Sequence, residues 1–316
     1  MCTNVELINS IVNNVEKVII GKKEGIYDIL KGMIAGGHIL IEDVPGVGKT
    51  TLIKALKESL SLTYSRIQFT PDLLPSDITG ISVYNSHNGE FKFNKGPIFS
   101  NIVLADEINR TSPKTQSALL EVMEEMQVSE GGVTYELDSP FFIMATENPI
   151  EYEGTFTLPE AQLDRFLIKV HLGYPSKEDE VTILKVYRKD TPLKQLKSVA
   201  GKEDIIKLQE AVKEVKVNED INKYIVSIIE ATRNHKDITL GGSIRATLGL
   251  LRVAQASAVI GGRDYVIPED VKENVKLTLE HRLILKNSSL ARGISSSHVL
   301  DEILNVIPTP KVKVNG

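Results

Sequence analysis

The sequence predicts an α/β fold: a parallel five-stranded sheet flanked by helices, followed by a smaller all-α domain. Three observations predict it. Short apolar runs alternate with amphipathic helical patterns through the first 175 residues, the texture of strand–helix–strand units. Beyond Tyr174-Pro175 nearly every segment carries a helical period. The charge changes sign at the same place, with 14 basic against 23 acidic residues in 1–175 (net −9) and 23 against 19 in 176–316 (net +4). The expected domains are therefore 1–175 and 176–316.

The elements follow in order. Residues 38–42 read as a strand, and 50–60, with Leu52, Ile53, Leu56 and Leu60 on one face, as the helix after it. Further strands are expected at 65–69, 102–105, 141–145 and 166–171, each apolar enough to be buried on both faces of a parallel sheet. Two hairpins decorate this plan. One joins 81–84 to 90–93 through Asn88-Gly89, and the other joins 126–129 to 133–137 through Gly131-Gly132. Ser112-Pro113 caps a helix that packs Leu119, Leu120, Val122 and Met123. In the second half Ser176, followed by Glu178 and Asp179, is an N-cap pattern. Helices are then expected over 204–215, 219–233, 243–260 and 268–285, before an extended tail from Pro308.

Composition narrows the function. A chain of 316 residues, 41% hydrophobic and 25% charged, is an ordinary globular protein rather than a fibrous, disordered or disulfide-built one. No apolar run approaches the roughly 18 to 20 residues of a membrane helix. The first residues lack the basic flank and apolar stretch of a secretory signal, so a cytoplasmic location without membrane insertion is expected. One cysteine, Cys2, and six scattered histidines argue against disulfide, redox and zinc chemistry. A net charge of −5 supplies no phosphate-neutralising stripe, so nucleic acid is not an expected partner. The Lys-rich stretch 185–216 lacks aromatic platforms and reads as a solvated face.

Chemistry concentrates after the first strand. Asp43-Val44-Pro45-Gly46-Val47-Gly48-Lys49-Thr50 links a strand to a helix, the context that makes a G-K-T loop a phosphate cradle. Glycines let the backbone curl so that its N–H groups face phosphate oxygens, and the helix N-terminus adds positive potential. Pro45, Gly46, Val47, Gly48, Lys49, Thr50 and Thr51 are the candidate nucleotide-binding residues. Lys49 reaches the β- and γ-phosphates of ATP and Thr50 ligates Mg²⁺. The full pattern has glycine where this chain has Asp43. The strand 102–105 ends in Asp106-Glu107, placing two carboxylates at the sheet edge where α/β folds bind ligands. Asp106 is the candidate to hold Mg²⁺ through its water shell, and Glu107 the general base that polarises the attacking water.

From Gly96, G-P-I-F-S-N-I-V-L-A-D-E-I-N-R-T-S-P-K-T-Q-S-A-L-L-E-V-M-E-E, and later A-T-E-N-P-I-E-Y-E-G-T-F-T-L-P-E-A-Q-L-D-R-F, closely resemble the MoxR family of AAA+ ATPases. The likeness runs from Ile20-Gly21 through G-G-R-D-Y-V-I-P-E-D-V at 261–271 to H-R-L at 281–283. It implies a P-loop AAA+ fold whose two hairpins are the helix-2 insert and the pre-sensor hairpin. It implies that Asn148 is sensor 1, with Glu147 standing where glutamine is usual. It implies that Arg165 is an arginine finger acting on ATP in a neighbouring subunit, and that Arg245 is sensor 2, with Ile244 replacing a usual proline. Read from the residues alone, Arg165 pairing with Glu160 or Asp164, and a structural Arg245, remain alternatives. Arg110 serves a subunit interface or caps a helix.

By the same resemblance the protein is a homo-oligomer, a hexameric ring. It is a chaperone-like assembly or activation factor for a protein client, such as one carrying a von Willebrand factor A domain. The rival readings are a nucleotide-gated binding module without turnover, and a motor for metal chelation or nucleic-acid remodelling.

Overall fold

The structure, a computed structural model, describes residues 2–44, 46–87, 89–147, 156–188 and 191–310. Two helices open the chain, α1 (Cys2–Glu16) and α2 (Lys23–Ile34), and their apolar faces lie in the main core. Then come β1 (Ile39–Glu42), α3 (Lys49–Leu60), β2 (Tyr64–Gln68) and the short α4 (Pro75–Thr79). The first hairpin is β3 (Gly80–Asn85) with β4 (Glu90–Lys95), and β5 (Ile102–Asp106) and α5 (Pro113–Glu125) follow. The second hairpin is β6 (Gln127–Glu130) with β7 (Val133–Glu136), leading to β8 (Phe142–Glu147), α6 (Glu160–Leu163) and β9 (Ile168–Val170).

The five expected core strands form one parallel sheet in the order β2-β5-β8-β1-β9. β5 is buried along its whole length, which explains its unbroken apolar run. The order reverses at β1, which lies between β8 and β9, so the loop after β1 opens at a topological switch point. The hairpins form where the turn glycines direct them: Gly131 and Gly132 have φ of +59° and +78°, as a primed two-residue turn requires. Asn88, in the other turn, lies outside the described residues. Phe93 of one hairpin stacks on Tyr135 of the other at 4.4 Å.

The second half is helical, with α7 (Lys177–Tyr187), α8 (Lys202–Lys213), α9 (Glu219–Asn234), α10 (Ile244–Ile260), α11 (Pro268–Leu279), α12 (Asn287–Leu290) and α13 (Ser296–Val306). Ser176 and Ser243 cap α7 and α10, each accepting a backbone N–H at 3.1 Å. The helix expected over 268–285 is shorter. It stops at Leu279, makes a 3₁₀ turn over Glu280–Arg282, and becomes a strand, β11 (Ile284–Leu285), paired antiparallel with β10 (Ile238–Leu240). Helical periodicity could not reveal this, because tertiary hydrogen bonds of His281 and Arg282 to the Phe166 carbonyl override it. The two halves share a core: α8 and α10 pack on α2, and one apolar cluster runs from Ile8 to Ile303. Among the described residues no helix is long and apolar enough to cross a membrane.

Candidate nucleotide site

The loop after β1 owes its shape to two glycines. Gly46 and Gly48 have φ of +87° and +93°, the left-handed region that favours glycine, and a Cβ at Gly46 would meet nothing within 4 Å. The glycines therefore serve backbone conformation rather than tight packing. Gly48 is the N-cap of α3, so the first helical N–H groups open toward the cradle. A cavity of about 350 Å³ unites Gly46, Gly48, Lys49, Thr50 and Thr51 with Asp106, Glu107 and Thr146. Lys49 Nζ donates to the Asp43 carbonyl at 2.7 Å. Burial lowers the Lys49 pKa from its ordinary value, against the opposing pull of Asp43, Asp106 and Glu107. Pro45 lies outside the described residues.

Asp43 departs from the phosphate-loop pattern for a visible reason. Its carboxylate points away from the cradle and accepts the backbone N–H groups of Leu172 and Gly173 at 2.6 and 2.8 Å. The first residue of the loop is thereby tied to the chain leaving β9. Just beyond lies an apolar cavity of about 440 Å³, bordered by Ile19, Ile20, Val47, Tyr174, Ile183 and Tyr187, which shares Gly46, Gly48 and Thr51 with the cradle. Tyr187 Oη closes its wall by donating to the Val18 carbonyl at 2.9 Å.

The two acids at the end of β5 are held differently. Asp106 accepts from Thr146 Oγ1 at 2.7 Å on one oxygen, and from Arg66 Nη2 at 2.6 Å on the other. Glu107 has φ +57°, which turns its side chain out of the strand direction, and its N–H donates to Thr146 Oγ1 at 2.8 Å. Its Oε2 accepts from Gln68 Nε2 at 2.8 Å and pairs with Arg110 Nη1 at 3.2 Å. Arg110 thus faces the acid of its own chain. Arg66, Gln68 and Thr146 were missed in the sequence, where neither spacing nor motif marks them. The signal is the register, because Gln68 stands opposite Asp106 in the sheet.

Glu147 stands opposite Glu42 across β8 and β1, and Lys169 Nζ pairs with Glu42 Oε2 at 2.8 Å. Burial and the neighbouring Glu42 push the Glu147 carboxyl up to about 7, with Lys169 opposing. Near neutral pH this acid is therefore about half uncharged, closer to the amide whose place it takes. Asn148 lies outside the described residues.

Arg165 and Arg245 come together, but not beside the phosphate loop of their own chain. Both line a cavity of about 260 Å³ with Gly36, Gly37 and His38, which precede β1, and Leu167, which precedes β9. The phosphate loop follows the other end of β1, roughly 13 Å away for four strand residues at about 3.3 Å each. Arg165 pairs with neither Glu160 nor Asp164. Its Nη2 lies 2.9 Å from Glu124 Oε2, and Arg245 Nη2 lies 2.5 Å from Glu124 Oε1. The backbone around Arg165 is clamped by the second half of the chain. Arg282 Nη2 donates to the Phe166 carbonyl at 2.7 Å, and His281 Nε2 lies 3.0 Å from the same oxygen. Arg282 Nε stands 3.1 Å from Asp164 Oδ1, an ion pair without hydrogen-bond alignment, while Ser243 Oγ donates to Asp164 Oδ2 at 2.9 Å. Burial lowers the Arg282 pKa to about 10, against the opposing pull of Asp164.

Comparison with known proteins decides the family. Residues 38–168 match the model of the ATPase family associated with various cellular activities (AAA), and residues 230–303 match the AAA lid domain. The chain is 41% identical to Chaperone MoxR1 of Mycobacterium tuberculosis, over 99% of this chain and 85% of that one. It is 49% identical to protein YeaC of Bacillus subtilis, over 96% and 95% of the two chains. A crystal structure of a Cytophaga hutchinsonii protein assigned to the ATPases superposes with a TM-score of 0.92 at 43% identity, covering 98% and 97%.

The chain is a member of the MoxR family of AAA+ ATPases.

For a MoxR-family chain the resemblance implied sensor 2 for Arg245 without fixing which copy's nucleotide it faces. Here Arg245 meets Arg165 on the sheet edge away from the phosphate loop. The histidines hold a smaller surprise. His235 lies beside its near neighbour Asp237 and the distant Glu302 of α13, three side chains that could face a metal ion. Asp237, however, is already committed to Ser289 Oγ at 2.7 Å and to Arg292 at 2.5 Å, so the cluster reads as a tie between the end of α9 and α13.

Proposed function

We propose that this MoxR-family protein hydrolyses ATP to ADP and phosphate at a site that two copies of the chain complete together. One observation carries the reading. The phosphate loop and both acids share one sheet edge, while Arg165 and Arg245 share the opposite edge of the same sheet. A single chain therefore presents half of each of two sites, as a head-to-tail ring requires.

In this reading the open loop at Gly46 and Gly48, with the N-terminus of α3, receives the phosphates, and Lys49 exchanges its Asp43 carbonyl for phosphate oxygens. The apolar cavity at Ile19, Ile20 and Tyr174 takes the base. Mg²⁺ fits the donor set. Thr50 and Asp106 are hard oxygen ligands in one cavity, and the Thr146 and Arg66 contacts of Asp106 suit a carboxylate that holds the ion through water. The ion would neutralise charge on the β- and γ-oxygens. Glu107, released from Gln68, takes the proton of the attacking water, and Asn148 orients that water. Arg165 and Arg245 of the adjoining copy stabilise charge developing on the transferred phosphoryl group.

We further propose a six-membered ring in the cytoplasm. Its conformational work would serve a protein client, such as one with a von Willebrand factor A domain, in keeping with the chaperone name of the Mycobacterium relative. The division into domains 1–175 and 176–316 stays a proposal of chain texture.

The test separates binding from turnover. Glu107→Gln is expected to bind ATP normally and lose turnover by about 10²-fold or more. Lys49→Ala is expected to lose binding, measured by calorimetry with magnesium. Wild-type turnover by Glu107→Gln would contradict the base assignment.

A further inference from the structure

Glu124 has no place in the assignments above, yet it is the residue that brings the two arginines together. It projects from the last turn of α5 and is the one acidic side chain, among the described residues, that lines the arginine cavity. Arg252 and Arg282 line the same cavity, and although Asp164 stands beside Arg282 and Arg245, the arginines outnumber the acids around it. Two guanidinium groups this close repel one another unless a carboxylate stands between them. Glu124 stands between them, with Oε2 at 2.9 Å from Arg165 and Oε1 at 2.5 Å from Arg245. Each guanidinium has five N–H donors in a rigid fork and spends its Nη2 on this contact. Donors remain for a phosphate, because the two guanidinium side chains keep 29% and 42% of their surface exposed while Glu124 holds one nitrogen of each.

We propose that Glu124 is a positioning residue that holds Arg165 and Arg245 as a pair, one carboxylate oxygen for each, for the phosphates of ATP bound to the neighbouring copy. The inference rests on the two-copy reading of the site. Glu124 belongs to the chain that lends the arginines, not to the chain that binds the nucleotide. Its loss therefore acts on turnover and leaves nucleotide affinity alone.

The test uses mixtures of full-length proteins. K49A lacks the phosphate lysine and keeps both arginines, whereas R165A has the reverse defect. Mixing them restores hydrolysis where a K49A copy lends its arginines to ATP on an R165A copy. Replacing K49A by K49A/E124Q keeps the side-chain size but removes the charge that two guanidiniums need. The restored kcat is expected to fall about tenfold, as misplaced transition-state contacts do. KM for ATP stays unchanged, because the intact phosphate loop of R165A still holds the nucleotide. K49A/E124D, which keeps the carboxylate on a shorter arm, recovers part of the loss. Equal restored kcat with K49A and K49A/E124Q overturns the proposal, as does an effect confined to KM. A drop in kcat that tracks loss of assembly in sedimentation also overturns it, because Glu124 would then be structural. If K49A itself fails to restore R165A, the two-copy reading falls and this inference falls with it, a result distinct from the others.

Discussion

Glu147, which stands where the MoxR resemblance implies glutamine, is governed by its strand neighbours. It faces Glu42 across two strands, and burial with that neighbour raises its carboxyl to about 7. The sign of the stability effect follows. A raised carboxyl favours the folded state while it is protonated, and that contribution is fully present below the ordinary value of 4.5 and lost as pH rises through 7. Glu147→Gln removes the loss, so the variant is expected to gain on wild type by roughly 1–3 kcal/mol between pH 5 and pH 8. Chemical denaturation at the two pH values checks this, and a constant difference would contradict the raised carboxyl. Residue identities in the phosphate loop and the acid pair were legible in the sequence because their chemistry depends on local spacing. Arg66, Gln68, Thr146 and Glu124 were not, since what recruits them is strand register and helix packing.

At the scale of elements, the apolar strands and both hairpins could be read directly. Each is specified by residues within a few positions, such as the Gly131-Gly132 turn with positive φ at both glycines. The 268–285 segment could not, because its last turn is set by contacts to the loop around Arg165. That clamp has a testable energy. Arg282 is almost wholly buried, pairs with Asp164 and donates to the Phe166 carbonyl. Arg282→Ala is expected to destabilise the fold by about 3–5 kcal/mol, the usual result of breaking a buried pair. It should also lower turnover in the neighbouring copy by loosening Arg165. A melting temperature within a degree of wild type would contradict the clamp. Asp43 plays the matching part at the other sheet edge, where its two backbone contacts tie the phosphate loop to the exit of β9.

For the whole molecule, the sheet separates the phosphate loop from the arginine cavity, and in the proposed ring the charge asymmetry between the first 175 residues and the rest offers a way to orient one copy on the next. Such matching is screened by salt, so assembly is expected to weaken between about 0.05 and 0.5 M salt. Salt-insensitive sedimentation would contradict it. The fold of each half was legible in the sequence, but the position of Arg245 was not. It depends on how α10 packs on α2 and the sheet edge, which no motif encodes. The central claim is that no single chain holds a complete hydrolytic site. The most direct measurement is ATPase activity per subunit as a function of protein concentration, with the state of assembly followed by sedimentation. The account predicts negligible turnover where the protein is monomeric and a rise to a plateau as copies associate. Constant activity per subunit from a demonstrated monomer would contradict it.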